Sequence, residues 1–415
     1  MTHFDNRPPR FGFRSLAAAL VLGGALSTAS ATDGYFSHGY GMKSKGMGGA
    51  SSAMTDNAFA GANNPAVAAW AGNRMEGGLD LFMPKRSMDR AGLGSTSSDS
   101  NLFYIPEFGY NRAVNDRLGV GLTVYGNGGM NTDYPAGSIP AGGCGPGAPA
   151  SNLFCGAGRL GVDMMQLIVA PTAAYKLSDS QSVGVSPLLV YQRFKADGLG
   201  AFGVANAGYD SSSGLGVRLG YLGKLGDKVS VGASYSPKIA MSKFSKYAGL
   251  FAGQGNFDIP ENYTLGISVQ ATPAVTLAMD YQRIKYAGVS SVGNPSTSSG
   301  AMGADNGPGF GWASIGVWKL GVQWQVSPKW TVRAGVNVGG NPVQSRDASF
   351  NTLAPGVVTS HYTAGATYAL SPSTELTVSY MAAPANAVTG PNRGGSTDTI
   401  RMSQQALGVQ WGWRY

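Results

Sequence analysis

Long apolar runs are missing from this 415-residue chain. Apart from Leu16–Leu26, no stretch approaches the roughly 20 apolar residues a membrane-crossing helix needs, so a helical membrane protein is excluded. Charge is scarce too, at 13% of residues, and mean hydropathy is −0.06. Lys and Arg exceed Asp and Glu, giving +8, but they are scattered with no basic run, which argues against a nucleic-acid partner. There are three His, and only His38 and His361 lie beyond the N-terminal leader. Neither sits in a nucleophile motif with a Ser or carboxylate partner, so no catalytic residue is expected and the chain is read as a non-enzyme. Gly39–Gly49 lacks the Gly-Lys-Ser/Thr ending of a phosphate loop and is read as closely packing backbone. No cofactor is expected.

Cysteine is limited to Cys144 and Cys155. A metal site would need His or further Cys nearby, and none is there. In an exported protein the pair is read as a loop disulfide, with no metal.

The export signal is at the start. Arg7, Arg10 and Arg14 precede the run Leu16–Leu26, and Ala29-Ser30-Ala31 follows as a small-residue cleavage site. This is the layout of a signal peptide over residues 1–31, with Thr32 as the first mature residue; the run is too short for a membrane anchor.

What the chain does have is alternation. Leu407, Val409, Trp411, Trp413 and Tyr415 are large and apolar, while the residues between them are small or polar. A β-strand sends successive side chains to opposite faces, so this end has one lipid-compatible face and one wet face, with aromatics suited to the membrane interface. Similar alternation recurs, for example Val275, Leu277, Met279, Tyr281 and Trp330, Val332, Ala334, Val336, Val338. Short polar turns at Asn115-Asp116, Ser178–Ser180, Gly226–Lys228, Thr272-Pro273, Ser327–Lys329 and Ser371–Ser373 alternate with long Gly/Ser/Asn/Pro-rich segments at Asp197–Ser213, Val289–Gly311, Asn341–Gly356 and Ala385–Asp398. Short turns on one side and long loops on the other mark an outer-membrane barrel. A soluble β-sandwich does not account for this asymmetry together with the export signal and the interfacial aromatics. With a first strand near Arg74–Met88 the count is about 14. The expectation is an all-β, transmembrane antiparallel barrel over residues 73–415 in the outer membrane of a Gram-negative bacterium. Glycine, 63 residues, is about twice its usual share, as barrel strands tolerate and helices do not. Thr32–Gly72 breaks the alternation and is too long and apolar for a tail. It is read as a hatch, or plug, filling a lumen that a barrel of this size leaves wide.

Three stretches resemble the FadL/TodX family of outer-membrane transporters for long-chain fatty acids and aromatic hydrocarbons. They are Gly34–Ala50, with Gly46-Met47-Gly48-Gly49-Ala50; the hatch motif Asn64-Pro65-Ala66; and Tyr125–Tyr134. The resemblance implies a fourteen-stranded barrel with an N-terminal hatch. It also implies passive movement of a hydrophobic ligand from the outer loops into the lumen, and sideways release through a kink in the third strand.

The residues bear on that expectation directly. Leu118, Val120, Leu122 and Val124 alternate, and Asn127-Gly128-Gly129 then interrupts them. Paired Gly in a strand signals a bulge or kink, the alternative being the start of a loop before Pro135. The kink is expected to be a lateral exit beside Asn64-Pro65-Ala66. Parity turns Arg218, Lys319 and Arg333 inward, as candidate cations for a ligand head group; the other reading is that they pair with inward acids such as Asp280 and Glu375, or with the hatch. Expected partners are a hydrophobic small molecule, outer-membrane lipid and lipopolysaccharide, and the barrel-assembly machinery through the C-terminal strand, with a monomeric protein. The alternative function is a general porin for small polar solutes, which a hatch argues against.

Overall fold

The computed structural model describes residues 33–392 and 394–415; the expected signal peptide and its cleavage point lie outside them. The strands run in chain order: β1 (Arg74–Arg90), β2 (Gly94–Ser97), β3 (Phe103–Ala113), β4 (Leu118–Tyr134), β5 (Leu160–Ser178), β6 (Gln181–Asp197), β7 (Asp210–Leu225), β8 (Val229–Ser236), β9 (Asn262–Thr272), β10 (Val275–Ile284), β11 (Ile315–Gln325), β12 (Trp330–Gly339), β13 (Ser360–Ala369), β14 (Thr374–Pro391) and β15 (Thr397–Arg414).

Neighbouring strands pair antiparallel, and β15 pairs back onto β1 from Arg74↔Arg414 to Arg90↔Asp398. The short β2 pairs only with the upper end of β1, so the other fourteen strands form the closed barrel. Closure joins the strands into a ring and satisfies most of their backbone internally, the condition for crossing lipid with strands. Among the described residues no helix is long and apolar enough to cross a membrane.

Side-chain alternation fixes which face is which. On β15, Leu407, Val409 and Trp411 are 39%, 45% and 54% exposed on the outer face, while Gln404 and Gln410 are buried inside. Trp324 and Trp330, flanking one short turn, are likewise exposed, as ring anchors at a membrane interface are. All six short turns named from the sequence join consecutive strands at one end of the barrel.

One boundary differs. Ala385–Asp398 reads as loop, yet β14 continues to Pro391 and β15 begins at Thr397. A register shift between Ala383 and Asn386 absorbs the irregularity, after which pairing runs from Asn386↔Met402 to Pro391↔Thr397. Pairing with β15 overrides the weak local strand propensity of Gly, Asn and Pro.

Residues 33–72 precede the first strand and are nearly all buried. They fill the lumen, in contact with inward side chains around most of the wall.

Candidate functional site

Two sets of contacts hold the N-terminal segment in place. The first is ionic. In the helical turn Met42–Lys45, Lys45 Nζ pairs with Asp80 at 2.8 Å and with Glu107, while Lys43 Nζ pairs with Glu76 at 3.0 Å and with Glu375. All six side chains are buried or nearly so, so each charge depends on its partners. Sequence reading missed this network, although Glu76 and Asp80 share the inward parity of β1 and could have been found that way. Further round, Asp280 accepts from Ser51 N at 2.9 Å, Ser52 N at 3.0 Å and Ser52 Oγ at 2.7 Å.

The second is aromatic. Tyr35 packs against Tyr286, Trp312 and Phe257, with ring centroids 5.2, 5.9 and 6.0 Å away. Tyr286 Oη accepts from Tyr35 N at 3.2 Å and donates to the Asp33 carbonyl. Burial pushes this loop phenol well above its usual pKa, so it stays a neutral donor.

These contacts set Tyr35–Ser37 against the irregular part of β4. Pairing between β3 and β4 ends at Phe108↔Val124. Above it, Tyr125–Tyr134 pairs with β5 alone, and Phe103–Glu107 pairs with β1 alone. A register shift between Gly126 and Gly128 leaves Asn127 as a bulge. The N-terminal segment takes the place of the missing strand: Phe36 bridges Gly128, Ser37 N donates to Asn127 O at 3.3 Å, and Gly129 N donates to Tyr35 O at 3.3 Å. The gap is closed at its top by Asp99 N donating to Asp133 O and Asp133 N to Ser98 Oγ, each at 2.9 Å.

Gly128 is there for space. Neither Gly128 nor Gly129 has a positive φ. A Cβ on Gly128 would lie 1.7 Å from Tyr35 O, which no real contact allows. Close approach, not unusual dihedrals, demands glycine here.

The expected position of Asn64-Pro65-Ala66 beside the kink is also corrected. Asn64 Nδ2 donates to Ser52 O at 2.7 Å and to Tyr221 O at 2.9 Å, and its Oδ1 accepts from Ala66 N at 3.1 Å. Pro65 and Ala66 lie on β6 and β7, where a Cβ on Gly184 or Gly220 would collide with them. The two glycines make a flat seat for the rigid turn there, and Tyr35–Ser37 covers the kink instead.

The three inward cations are all buried, and all engage the plug or the wall. Arg218 Nη1 donates to the Gly61 and Ala62 carbonyls and to Tyr125 Oη. Lys319 Nζ donates to the His38 carbonyl at 2.9 Å and lies 3.6 Å from Asp33. Arg333 donates to Gln323 and Thr367, both at 2.7 Å, and lies 3.7 Å from Asp56. Arg218 and Lys319 border a polar space of about 30 Å³ with Tyr40 and Asp280, too small for a ligand. Cys144 and Cys155 are bonded in the loop after β4, 5.7 Å apart at Cα. His38 and His361 stack at 6.0 Å, and among the described residues no acid, His or Cys cluster is placed to hold a metal. A larger concavity, about 570 Å³, lies on the lipid-facing side of β9–β12 between Leu277, Leu320 and Val336, away from the lumen.

A closed fourteen-stranded antiparallel barrel, greasy outside and with its N-terminal residues packed against the inner wall, is an outer-membrane protein of the transport class. The family model described as Outer membrane protein transport protein (OMPP1/FadL/TodX) matches residues 25–412, and the chain belongs to this family. Its fold is similar to that of the Pseudomonas putida toluene transporter TodX (TM-score 0.68, 19% identity, covering 91% of this chain and 99% of that one). It is similar also to a Pseudomonas aeruginosa FadL homologue (TM-score 0.70, 15% identity, covering 92% and 99%) and to the Ralstonia pickettii toluene transporter TbuX (TM-score 0.63, 19% identity, covering 91% and 99%). No curated protein matches the sequence.

Proposed function

We propose that this protein carries hydrophobic molecules passively across the outer membrane and releases them sideways through the gap between β3 and β4. The observation that carries the reading is the gap's cover: the unpaired edge of β4 is satisfied by Tyr35–Ser37, a part of the plug. Displacing that segment uncovers the wall without breaking any strand–strand pair. Residues 32–72 then act as a hatch domain and Asn127-Gly128-Gly129 as the exit. A greasy solute gains nothing from a water-filled channel, whereas a sideways path keeps it in apolar contact. The aromatic seat of Tyr35, with Tyr286, Trp312 and Phe257 around it, offers the kind of surface such a solute needs. Toluene transport by TodX and TbuX is consistent with cargo of this class. No catalytic role is assigned. The protein works as a monomer among lipid and lipopolysaccharide, delivered by the barrel-assembly machinery through β15.

A strain lacking the gene, complemented with the wild-type protein or one lacking residues 33–72, tests this. Wild-type complementation restores growth on a fatty acid or a monoaromatic hydrocarbon as sole carbon source, and the wild-type protein conducts little current in a planar bilayer. The truncated barrel conducts strongly. Large conductance of the wild type with no growth benefit on any hydrophobic source would overturn the reading in favour of a general porin.

A further inference from the structure

The first strand changes neighbours partway up. Its pairing with β3 ends at Phe82↔Phe103, and its pairing with β2 begins only at Ser87↔Ser97. Between these points Met83–Lys85 pair with β15 alone, Met83 opposite Gln405 and Lys85 opposite Ser403. The wall is notched there, and a cavity of about 220 Å³ fills the notch, bordered by Met83, Lys85, Ser97 and Asn101, with the buried Arg86 and Ser98 behind. Strand parity puts Met83 and Lys85 on the outer face with Leu79 and Leu81, whereas Glu76 and Asp80 are buried inside. The cavity therefore faces the membrane and not the lumen.

The same parity fixes its height. The outward residues of β1 run Leu79, Leu81, Met83 and then Lys85, Ser87, Asp89, while those of β15 run Val409, Leu407 and then Gln405, Ser403, Arg401. On both strands greasy gives way to polar at this level, toward the end opposite the short turns, which is the outer end. Lys85 and Arg401 thus stand at the head-group level of the outer leaflet. Cations prevail here. Among the described residues Lys85 has no hydrogen bond or ion pair, and Arg401 has only Asp89, 3.9 Å away and part exposed. The other acids nearby are taken, Asp99 and Asp133 by Arg159 and Asp398 by Arg90. Buried Arg86 adds a charge that is paired with no carboxylate among the described residues, its Nη1 donating to the Asn131 carbonyl. Unneutralised cations, the hydroxyl and amide donors of Ser97 and Asn101, and an adjoining apolar strand together suit an anionic lipid head group.

We propose that this notch binds a phosphate of lipid A, the phosphorylated glycolipid that anchors lipopolysaccharide in the outer leaflet. Lys85 and Arg401 pair with the phosphate, Ser97 and Asn101 donate hydrogen bonds to it, and the acyl chains run down the surface of Met83, Leu81 and Leu79. Arg86 strengthens the field from behind without touching the lipid. A phosphomonoester carries a charge of about −1.5 to −2 at pH 7, which a zwitterionic phospholipid does not match. The site lies outside the cargo path and goes beyond the uptake reading.

Lipid A and the same lipid stripped of its phosphates are the probes. Each is titrated into the full-length mature protein in phosphatidylcholine nanodiscs freed of native lipopolysaccharide, and bound lipid is read by native mass spectrometry. The variants are K85Q/R401Q, K85Q alone and, as a control, R283Q/K285Q, which removes two cations at the outer end of β10 on the far wall. Heat-modifiable gel mobility checks that each is folded. The wild type binds the phosphorylated lipid at least tenfold more tightly than the stripped one. K85Q/R401Q loses that preference, K85Q loses part of it, and R283Q/K285Q keeps it. Equal binding of the two lipids by the wild type overturns the proposal, as does K85Q/R401Q keeping the preference or R283Q/K285Q losing it as fully. Inorganic phosphate at millimolar concentration leaves the lipid in place; displacement by it would mark a site for free phosphate and overturn the lipid assignment. Should the double variant fail to fold, K85Q and the wild-type comparison decide. Failure here leaves the uptake reading untouched, because growth and conductance test that separately.

Discussion

Replacing Gly128 with Val strikes the contact on which lateral release depends. The new Cβ would fall 1.7 Å from Tyr35 O and 2.8 Å from Tyr35 C, so the side chain and the bridged segment cannot coexist. The neighbour is backbone, which cannot rotate away. Tyr35–Ser37 must lift off β4, losing the hydrogen bonds Ser37 N to Asn127 O and Gly129 N to Tyr35 O. At about 1 kcal/mol net each, that is about 2 kcal/mol, or roughly a thirtyfold shift toward the displaced state before any loss of aromatic contact is counted. The barrel does not depend on this bridge, because β4 keeps its pairing with β5 on the other side. The assay exploits the absence of free cysteine. In an S37C background, where the native side chain is buried, G128V should raise the rate of maleimide labelling at least tenfold while heat-modifiable mobility shows an intact barrel. Unchanged labelling in a folded G128V protein would refute the claim that Gly128 seats the plug.

Lys45→Met should cost about 3–5 kcal/mol, read as a lower unfolding temperature, because it strands Asp80 and Glu107 as buried acids without their cation. Arg159→Ala, which removes two ion pairs about half exposed to solvent, to Asp99 and Asp133, should cost less than about 1 kcal/mol in the same assay. Asn64→Ala should loosen the middle of the plug by about 2 kcal/mol, since the Ser52 and Tyr221 carbonyls and the Ala66 amide all lose a partner; faster hydrogen exchange over residues 52–70 would show it. Reducing the Cys144–Cys155 bond should make residues 135–159 protease-sensitive and leave the strands protected, because that bond closes a short loop outside the barrel.

Much of this was legible from residues alone. Alternation with period two placed Leu407, Val409 and Trp411 outside and Gln410 inside, because a strand's geometry leaves no other choice once one face meets lipid. The same parity turned Arg218, Lys319, Arg333, Asp280 and Glu375 inward. The turns were legible because short polar connections carry their own local chemistry. The pattern failed at Ala385–Pro391, where composition reads as loop and a partner strand makes β-structure of it. It failed more instructively inside the barrel. Glycine at position 128 was visible, but what it makes room for was not: Tyr35 and Gly128 are far apart in sequence, and only closure of the wall brings them together. Periodicity is a property of each strand and can be read along it. The partner of a buried charge and the cover of an unpaired edge are set by non-local packing across the lumen, and only the folded barrel decides them.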